Sequence, residues 1–239
     1  MCIRDREKCA ISLFEQTYSN LEILFINDCT PDKSVEIINK TLEKYPHRKA
    51  QVKIYNQPVN KGCPTARNLA VQIATGDFIL FVDGDDYIDS NMFAELYHLI
   101  NKKEADIVSS GWKREYRGSE AVLYDNFQEG VYDCNTSNYF FERFMCFEIY
   151  ENQGINGSLC TKLFKKDLIK SNYLRISDDI RMCEDAALVY MCCMDANKIY
   201  ITHNGYYHYQ MRMESCMHNS KKNYLGIIAA WNCLLYTSD

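Results

Sequence analysis

The first half of the chain alternates short apolar runs with longer stretches whose apolar residues recur every three or four positions. "LEILFI" (21–26), "DFILFV" (77–82) and "ADIVSS" (105–110) are short and continuously apolar, which predicts buried strands. "QVKIYN" (51–56) alternates as a strand does. Between these runs, residues 7–17, 32–45, 64–75 and 91–102 carry helical spacing. Thr30 is placed to cap the second helix with Pro31 at its first position, Gly76 to stop the third, and Ser90 to cap the fourth. Strands alternating with helices of this length predict an α/β fold: a mostly parallel sheet with helices on both faces.

The texture changes after about residue 111. "WKREYRG" and "EAVLYDN" predict strands of a small antiparallel piece, and 135–149 reads as helical. Residues 157–172 read as a turn and a helix, and 183–196 as a helix opening on Glu184 and Asp185. "KIYITHNGYYHYQMR" predicts two strands about Asn204-Gly205, and a last helix starts near Ser220. The expected organisation is therefore 7–110 as one α/β half and 111–232 as a smaller, mixed α/β extension of the same domain. In open α/β sheets ligands bind beyond the carboxyl ends of the strands. "NDCTPD" and "DGDD" both stand at such ends.

Both termini read as foreign. "MCIRDR" and "CLLYTSD" can be encoded by strings that are reverse complements over most of their length, and these match the adapter of transposase-based sequencing libraries. Residues 1–6 and 233–239 are expected to be translated adapter. Removing them takes two charges of each sign and leaves the net charge at −5. That mild acidity argues against a nucleic-acid partner bound by phosphate neutralisation. The chain has 12 cysteines but no C-x-x-C and no compact Cys/His cluster with zinc-ligand spacing, which fits buried thiols in a reducing compartment. No signal peptide and no apolar run of membrane-spanning length is present in the sequence given.

Asp83, Asp85 and Asp86 crowd three carboxylates into four positions at the end of an apolar run. Such clustering is costly unless a cation neutralises it, and Mg²⁺ or Mn²⁺ shares one or two carboxylates with substrate phosphates. In extended chain Asp83 and Asp85 point the same way and can reach one ligand. A solvated acidic turn that caps the next helix is the plain alternative. His203 and His208 lie five apart in apparent strands, so they face opposite sides and are not expected to form a metal pair.

"EQTYSNLEILFINDCTPDKSVEII" followed by "NKGCPTARNLAVQIATGDFILFVDGDDYID" resembles the family 2 glycosyltransferases of the GT-A fold. "TKLFKKDL", "CEDAALVY" and "YYHYQMRMES" extend the resemblance to residues 7–219. It implies an inverting glycosyltransferase, of hexosyltransferase type and metal-dependent, using Mg²⁺ or Mn²⁺. The implied donor is a nucleotide-sugar, UDP-linked by default, and the acceptor a glycan or lipid-linked hydroxyl in bacterial cell-surface polysaccharide synthesis. Cytoplasmic localisation at the inner face of the plasma membrane, with peripheral membrane association, belongs to the same expectation. By position, Asp28 matches the residue that bonds the nucleotide's base, and Arg67 the arginine near base and phosphates. Asp83 matches the carboxylate on ribose or metal, Asp85 the one that holds the metal, and Asp185 the catalytic base. Glu184, Lys162 and Arg212 are acceptor-side candidates, as are Tyr207 and His208 for acceptor or phosphate contacts.

Several positions depart from the family pattern. Asn27 and Cys29 replace the first acid and the Gly of its acidic turn, Thr161 stands for an Asn, Cys183 for the Gly before Glu-Asp, and Gln210 for an Arg. The family's first strand, which walls the nucleotide pocket, is expected ahead of Glu7, so the chain as written is expected to be unstable or inactive. Three other readings compete. A haloacid-dehalogenase-like phosphatase fits "LFVDGDDY" but needs Thr or Val at Tyr87. A nucleotidyltransferase lacks its Gly-rich phosphate loop, and a non-catalytic nucleotide-binding module has no use for Asp185.

Overall fold

The computed structural model describes residues 3–116, 119–144, 154–176 and 183–210. Helix α1 (Ile3–Phe14) buries Cys9, Ala10, Leu13 and Phe14 and leads into β1 (Ile23–Asn27). Helix α2 (Ser34–Leu42) and a 3-10 turn (Pro46–Gln51) then connect to β2 (Val52–Asn56), which pairs parallel with β1. Thr30 and Pro31 do not cap α2. The helix starts later, at Ser34, because the Asp32 carboxylate takes the Ser34 amide at 2.9 Å and holds a turn ahead of it.

Helix α3 (Cys63–Ile73), β3 (Phe78–Leu80), β4 (Tyr87–Ile88), α4 (Met92–Lys103) and β5 (Ile107–Tyr116) follow. Asn91 rather than Ser90 stands at the N-cap of α4. β6 (Ser119–Leu123) folds back on the extended end of β5. β7 (Gly130–Asp133), α5 (Asn138–Phe141), β8 (Lys162–Lys165), α6 (Lys166–Tyr173), α7 (Glu184–Asp195) and β9 (Lys198–Gln210) complete the described chain.

The main sheet runs β3-β8-β5-β9-β4, with β6 on β5 and β7 on β9. It is more mixed than the expected mostly parallel sheet: among the described residues only β5 and β9 pair parallel in it, and β3–β8, β5–β8, β4–β9, β5–β6 and β7–β9 are antiparallel. β8 is "KLFK", four residues inside a stretch expected to be turn and helix, and too short to announce itself by periodicity. β9 is one strand where two were expected. Asn204-Gly205 does not turn; the chain continues beside β5 with register shifts at Gly111. A Cβ on Gly111 would stand 2.8 Å from the carbonyl oxygens of His203 and Leu123, so this glycine lets three strands pass an irregular point. Asp106 locks the start of the sheet by accepting from Lys165 Nζ at 2.6 Å and from the Asn197 and Lys198 amides at 2.7 and 3.1 Å.

β1 and β2 form a separate two-stranded sheet. Between β1 and β3 lies a cavity of about 840 Å³. Its walls are Leu24, Phe25 and Ile26 on one side and Phe78 to Val82 on the other, with Leu13 of α1, Ala70 of α3 and Phe93 of α4 among the helical residues around it. Two strand edges therefore face one space, lined by apolar strand residues and by polar groups such as Glu22, Lys53 and Asp77. The cavity also reaches Arg67 and Asp83.

Candidate active site

The carboxylate turn is built by the sheet beneath it. The Asp86 amide closes on the Asp83 carbonyl at 3.1 Å, and β4 immediately after pairs Tyr87 and Ile88 with His208 and Tyr207 of β9. Tyr207 is buried, and its hydroxyl accepts the Asp83 amide at 3.2 Å while donating to Asp86 Oδ2 at 2.7 Å. The Gln210 amide donates to Asp86 Oδ1 at 2.9 Å. Burial, then the charges of Asp85 and Asp83, push the Asp86 carboxyl up to about 7 against these bonds. The third carboxylate of the cluster thus faces inward, and Asp83 and Asp85 remain partly exposed. Two accessible carboxylates in one turn supply oxygen donors that suit a hard divalent cation.

Arg67, on α3, joins the Asp83 turn to Glu184, which lies 117 residues from Arg67 in sequence. Its two terminal nitrogens reach Asp83 Oδ1 and Glu184 Oε1, both at 2.8 Å. The Arg67 side chain is 14 % exposed and that of Glu184 7 %, whereas that of Asp83 is 41 % exposed. Burial raises the carboxyl pKa of Glu184, and the Asp185 charge adds to it. Burial also raises Asp185, with Arg67 pulling the other way. Asp185 Oδ1 accepts the Ala186 amide at 2.9 Å in the first turn of α7. Arg67, Asp83, Glu184 and Asp185 are thus brought to one place.

Asp28 stands at the end of β1 and is already engaged. Its Oδ1 accepts the Lys61 amide at 2.8 Å and Gln57 Nε2 at 3.1 Å, and its Oδ2 accepts the Gly62 amide at 2.7 Å. It therefore shapes the 57–62 loop that leads into α3, where Gly62 adopts φ 90°. Lys162 is fully buried, and its ammonium donates to the Asn156 and Ser158 carbonyls at 2.6 and 3.1 Å and to Thr161 Oγ1 at 3.1 Å. Burial lowers its pKa, with Asp125 opposing. Arg212 lies outside the described residues.

His203 and His208 take separate partners. His203 stacks on Tyr124 and bonds the Phe127 carbonyl at 2.7 Å. His208 stacks on Tyr87 and places its ring nitrogens 2.7 Å from Asp89 and 3.0 Å from Glu115, with Glu120 at 3.8 Å. Lys113 pairs with Asp89 and Lys8 lies over the Tyr87 ring, so cations of the chain already surround these carboxylates. This network, the Tyr207–Asp86 pair and the buried Tyr173 hydroxyl, which has no hydrogen-bond partner among the described residues, carry no local pattern in the sequence. Only the neighbouring strands bring them together.

Both cysteines that replace family glycines adopt left-handed backbone: Cys29 at φ 54° and Cys183, the N-cap of α7, at φ 58°. That conformation costs an L-residue about 1–2 kcal/mol, and glycine loses roughly 0.5–1 kcal/mol in chain entropy. Cys183→Gly is therefore expected to stabilise the fold by up to about 1 kcal/mol. Urea titration checks this, and a clear loss of stability would contradict the strain argument.

The sequence pattern of the family described as Glycosyl transferase family 2 matches residues 7–170. The uncharacterized glycosyltransferase EpsJ of Bacillus subtilis is 31% identical over 204 residues, covering 85% of this chain and 56% of that protein. The poly(ribitol-phosphate) beta-N-acetylglucosaminyltransferase TarS of Staphylococcus aureus is 25% identical over 206 residues, 85% of this chain and 32% of TarS. The chain thus spans about half or less of the length of these relatives. A crystal structure of S. aureus TarS with UDP-GlcNAc superposes with a TM-score of 0.72 at 22% identity, over 97% of this chain and 64% of that one. The Pyrobaculum calidifontis mannosyltransferase PcManGT, with GDP-Man and Mn²⁺, gives 0.67 at 12% identity over 98% and 61%. At those identities the likeness speaks for the fold alone. With its family pattern matched over most of its length and its fold shared with TarS, this chain belongs to glycosyltransferase family 2 and has the GT-A fold.

Proposed function

We propose that the protein is an inverting, metal-dependent glycosyltransferase that moves a sugar from a UDP-sugar to a hydroxyl of a bacterial cell-surface glycan. The observation that carries this reading is the Arg67 bridge, which sets the accessible carboxylates Asp83 and Asp85 beside the carboxylates of Glu184 and Asp185. UDP-sugars are the default because the TarS neighbour was crystallised with UDP and with UDP-GlcNAc. Relatives named for teichoic acid synthesis support the cell-surface role. Cytoplasmic placement, with peripheral association at the inner membrane face, goes with such a role. No helix among the described residues is long and apolar enough to cross a membrane.

Asp83 and Asp85 would hold Mg²⁺ or Mn²⁺, which when bound offsets the negative charge that develops on the leaving diphosphate. Asp28 holds the 57–62 loop at the base end of the donor, and Arg67 keeps Asp83 oriented. Asp185 accepts the proton of the acceptor hydroxyl as that oxygen bonds the anomeric carbon and the nucleoside diphosphate departs with the old bond's electrons. Attack opposite the leaving group inverts the configuration. The burial that raises Asp185 brings it closer to the working pH, which suits a general base.

Calorimetric titration with UDP, with and without Mn²⁺, tests the donor site. A chain carrying the family's first strand ahead of Glu7 is expected to bind UDP in a Mn²⁺-dependent manner, and its Asp85→Ala variant to lose at least about tenfold in affinity, the loss of one charged contact. Absence of binding to UDP and to other nucleoside diphosphates in both proteins would remove the donor assignment.

A further inference from the structure

We infer that Gly157, Lys162 and Asp125 form a seat for the first turn of α7 and are positioning residues for Asp185. The inference rests on the reading of Asp185 as the base. The loop 154–161 meets α7 at two places on one face. Gly157 lies so close to Ala186 that a Cβ added to it would stand 2.6 Å from the Ala186 Cβ, 2.9 Å from its Cα and 3.8 Å from its nitrogen. That nitrogen carries the amide held by Asp185 Oδ1. One turn on, the Tyr190 hydroxyl reaches the Ile155 carbonyl at 3.4 Å.

The far side of the loop is fastened by buried charge. Lys162 draws the Asn156 and Ser158 carbonyls around its ammonium, which brackets Gly157 between two bonded residues. Asp125 takes the Asn156 amide on Oδ1 at 2.8 Å and the Ser109 hydroxyl on Oδ2, tying the loop to β5. Both side chains are buried, Lys162 completely. An ammonium with three acceptors and no solvent contact fixes a loop far more rigidly than a surface contact does. The result is a continuous stack from β5 through Asp125, the loop and Gly157 to the peptide behind the Asp185 carboxylate. The donor-side carboxylates Asp28 and Asp83 bond to the 57–62 loop and to Arg67 rather than to this stack, which separates its effect from nucleotide binding.

The test compares the chain carrying the family's first strand ahead of Glu7 with its Gly157→Ala, Lys162→Met and Asp185→Asn variants. UDP affinity in Mn²⁺ is read by calorimetry, and turnover by UDP release from UDP-glucose and from UDP-GlcNAc. Misplacing a reacting group by about 1 Å costs on the order of 100-fold. Gly157→Ala and Lys162→Met are therefore expected to lower kcat by roughly 10- to 100-fold, with UDP affinity and donor KM held within about twofold. Combining Gly157→Ala with Asp185→Asn should cost nothing beyond Asp185→Asn alone, because a displaced base and an absent base are the same loss. Lys162→Met removes a buried bond set and can unfold the chain. Gly157→Ala removes none, and its retained UDP affinity reports that the fold is intact. Where neither donor turns over, carbon-detected NMR of the Asp185 carboxyl replaces kcat: Gly157→Ala is expected to shift its titration downward as the first turn opens to water. Unchanged kcat or titration in Gly157→Ala, a parallel loss of UDP affinity, or an additive double variant would overturn the seat. Full activity in Asp185→Asn would instead defeat the base assignment.

Discussion

Asp185→Asn is expected to lower kcat for sugar transfer by about 10²- to 10⁴-fold, the usual worth of a general base, with UDP affinity unchanged. Asparagine has the shape of aspartate and keeps an oxygen to accept the Ala186 amide at 2.9 Å, so the first turn of α7 stays in place. It cannot take a proton. Glu184 is the only neighbour in sequence that could substitute, and its carboxylate is committed to Arg67 at 2.8 Å. Asp185 Oδ1 bonds the Ala186 amide, whereas Arg67 bonds Asp83 and Glu184, so calorimetry with UDP on Asp185→Asn should return the native value. Steady-state kinetics over a range of acceptor concentrations separates the two terms. Turnover retained within a few-fold would place the base elsewhere, with Glu184→Gln the next variant.

A second large effect is expected in stability. We propose that an extended apolar segment fits the cavity between β1 and β3, hydrogen-bonding to both edges. The space is bordered by Leu24 to Ile26 of β1 and by Phe78 to Leu80 of β3, with Phe81, Val82 and helical residues around it. Each Val, Ile or Leu side chain buried there contributes about 1.5–3 kcal/mol. In a chain of this size 1 kcal/mol moves the melting temperature by about 2–4 °C. Replacing residues 1–6 by a strand of alternating Val and Ile with a connecting turn should therefore raise the melting temperature by at least about 5 °C. Amide hydrogen exchange at Leu24, Ile26, Phe78 and Leu80 should slow together, since one inserted strand pairs with both edges. The same extension with proline at alternate positions cannot donate to the ladder and serves as the control. Equal melting temperatures for the two extensions would show that the cavity takes no strand.

Much of the donor half was legible because its signals are local. Apolar runs too short for helices gave β1, β3 and β5 their places, alternation gave β2 its own, and a 3.6-residue recurrence gave α1 to α4 theirs. Asp28, Arg67, Asp83, Asp85 and Asp185 are singled out by the resemblance of their motifs to the family, and the fold brings Arg67, Asp83, Glu184 and Asp185 together. Cysteines standing where the family has glycine flagged Cys29 and Cys183, and both adopt the left-handed backbone that glycine would accept freely.

Other features depended on partners distant in sequence. "KLFK" is a strand only because β3 and β5 leave a place between them, and β9 runs straight through Asn204-Gly205 only because β5 carries it past Gly111. Lys162 looks like a free cation in the sequence, and the fold gives it three acceptors and no solvent. Asp86 is indistinguishable from its neighbours until Tyr207, 121 residues on, turns it inward. Periodicity, turn chemistry and motif spacing are properties of consecutive residues, and the sequence by itself determined those. Which strand edges pair, which charges lose water and which carboxylate stays open are decided by contacts between segments far apart in the chain, and only the tertiary structure decides them.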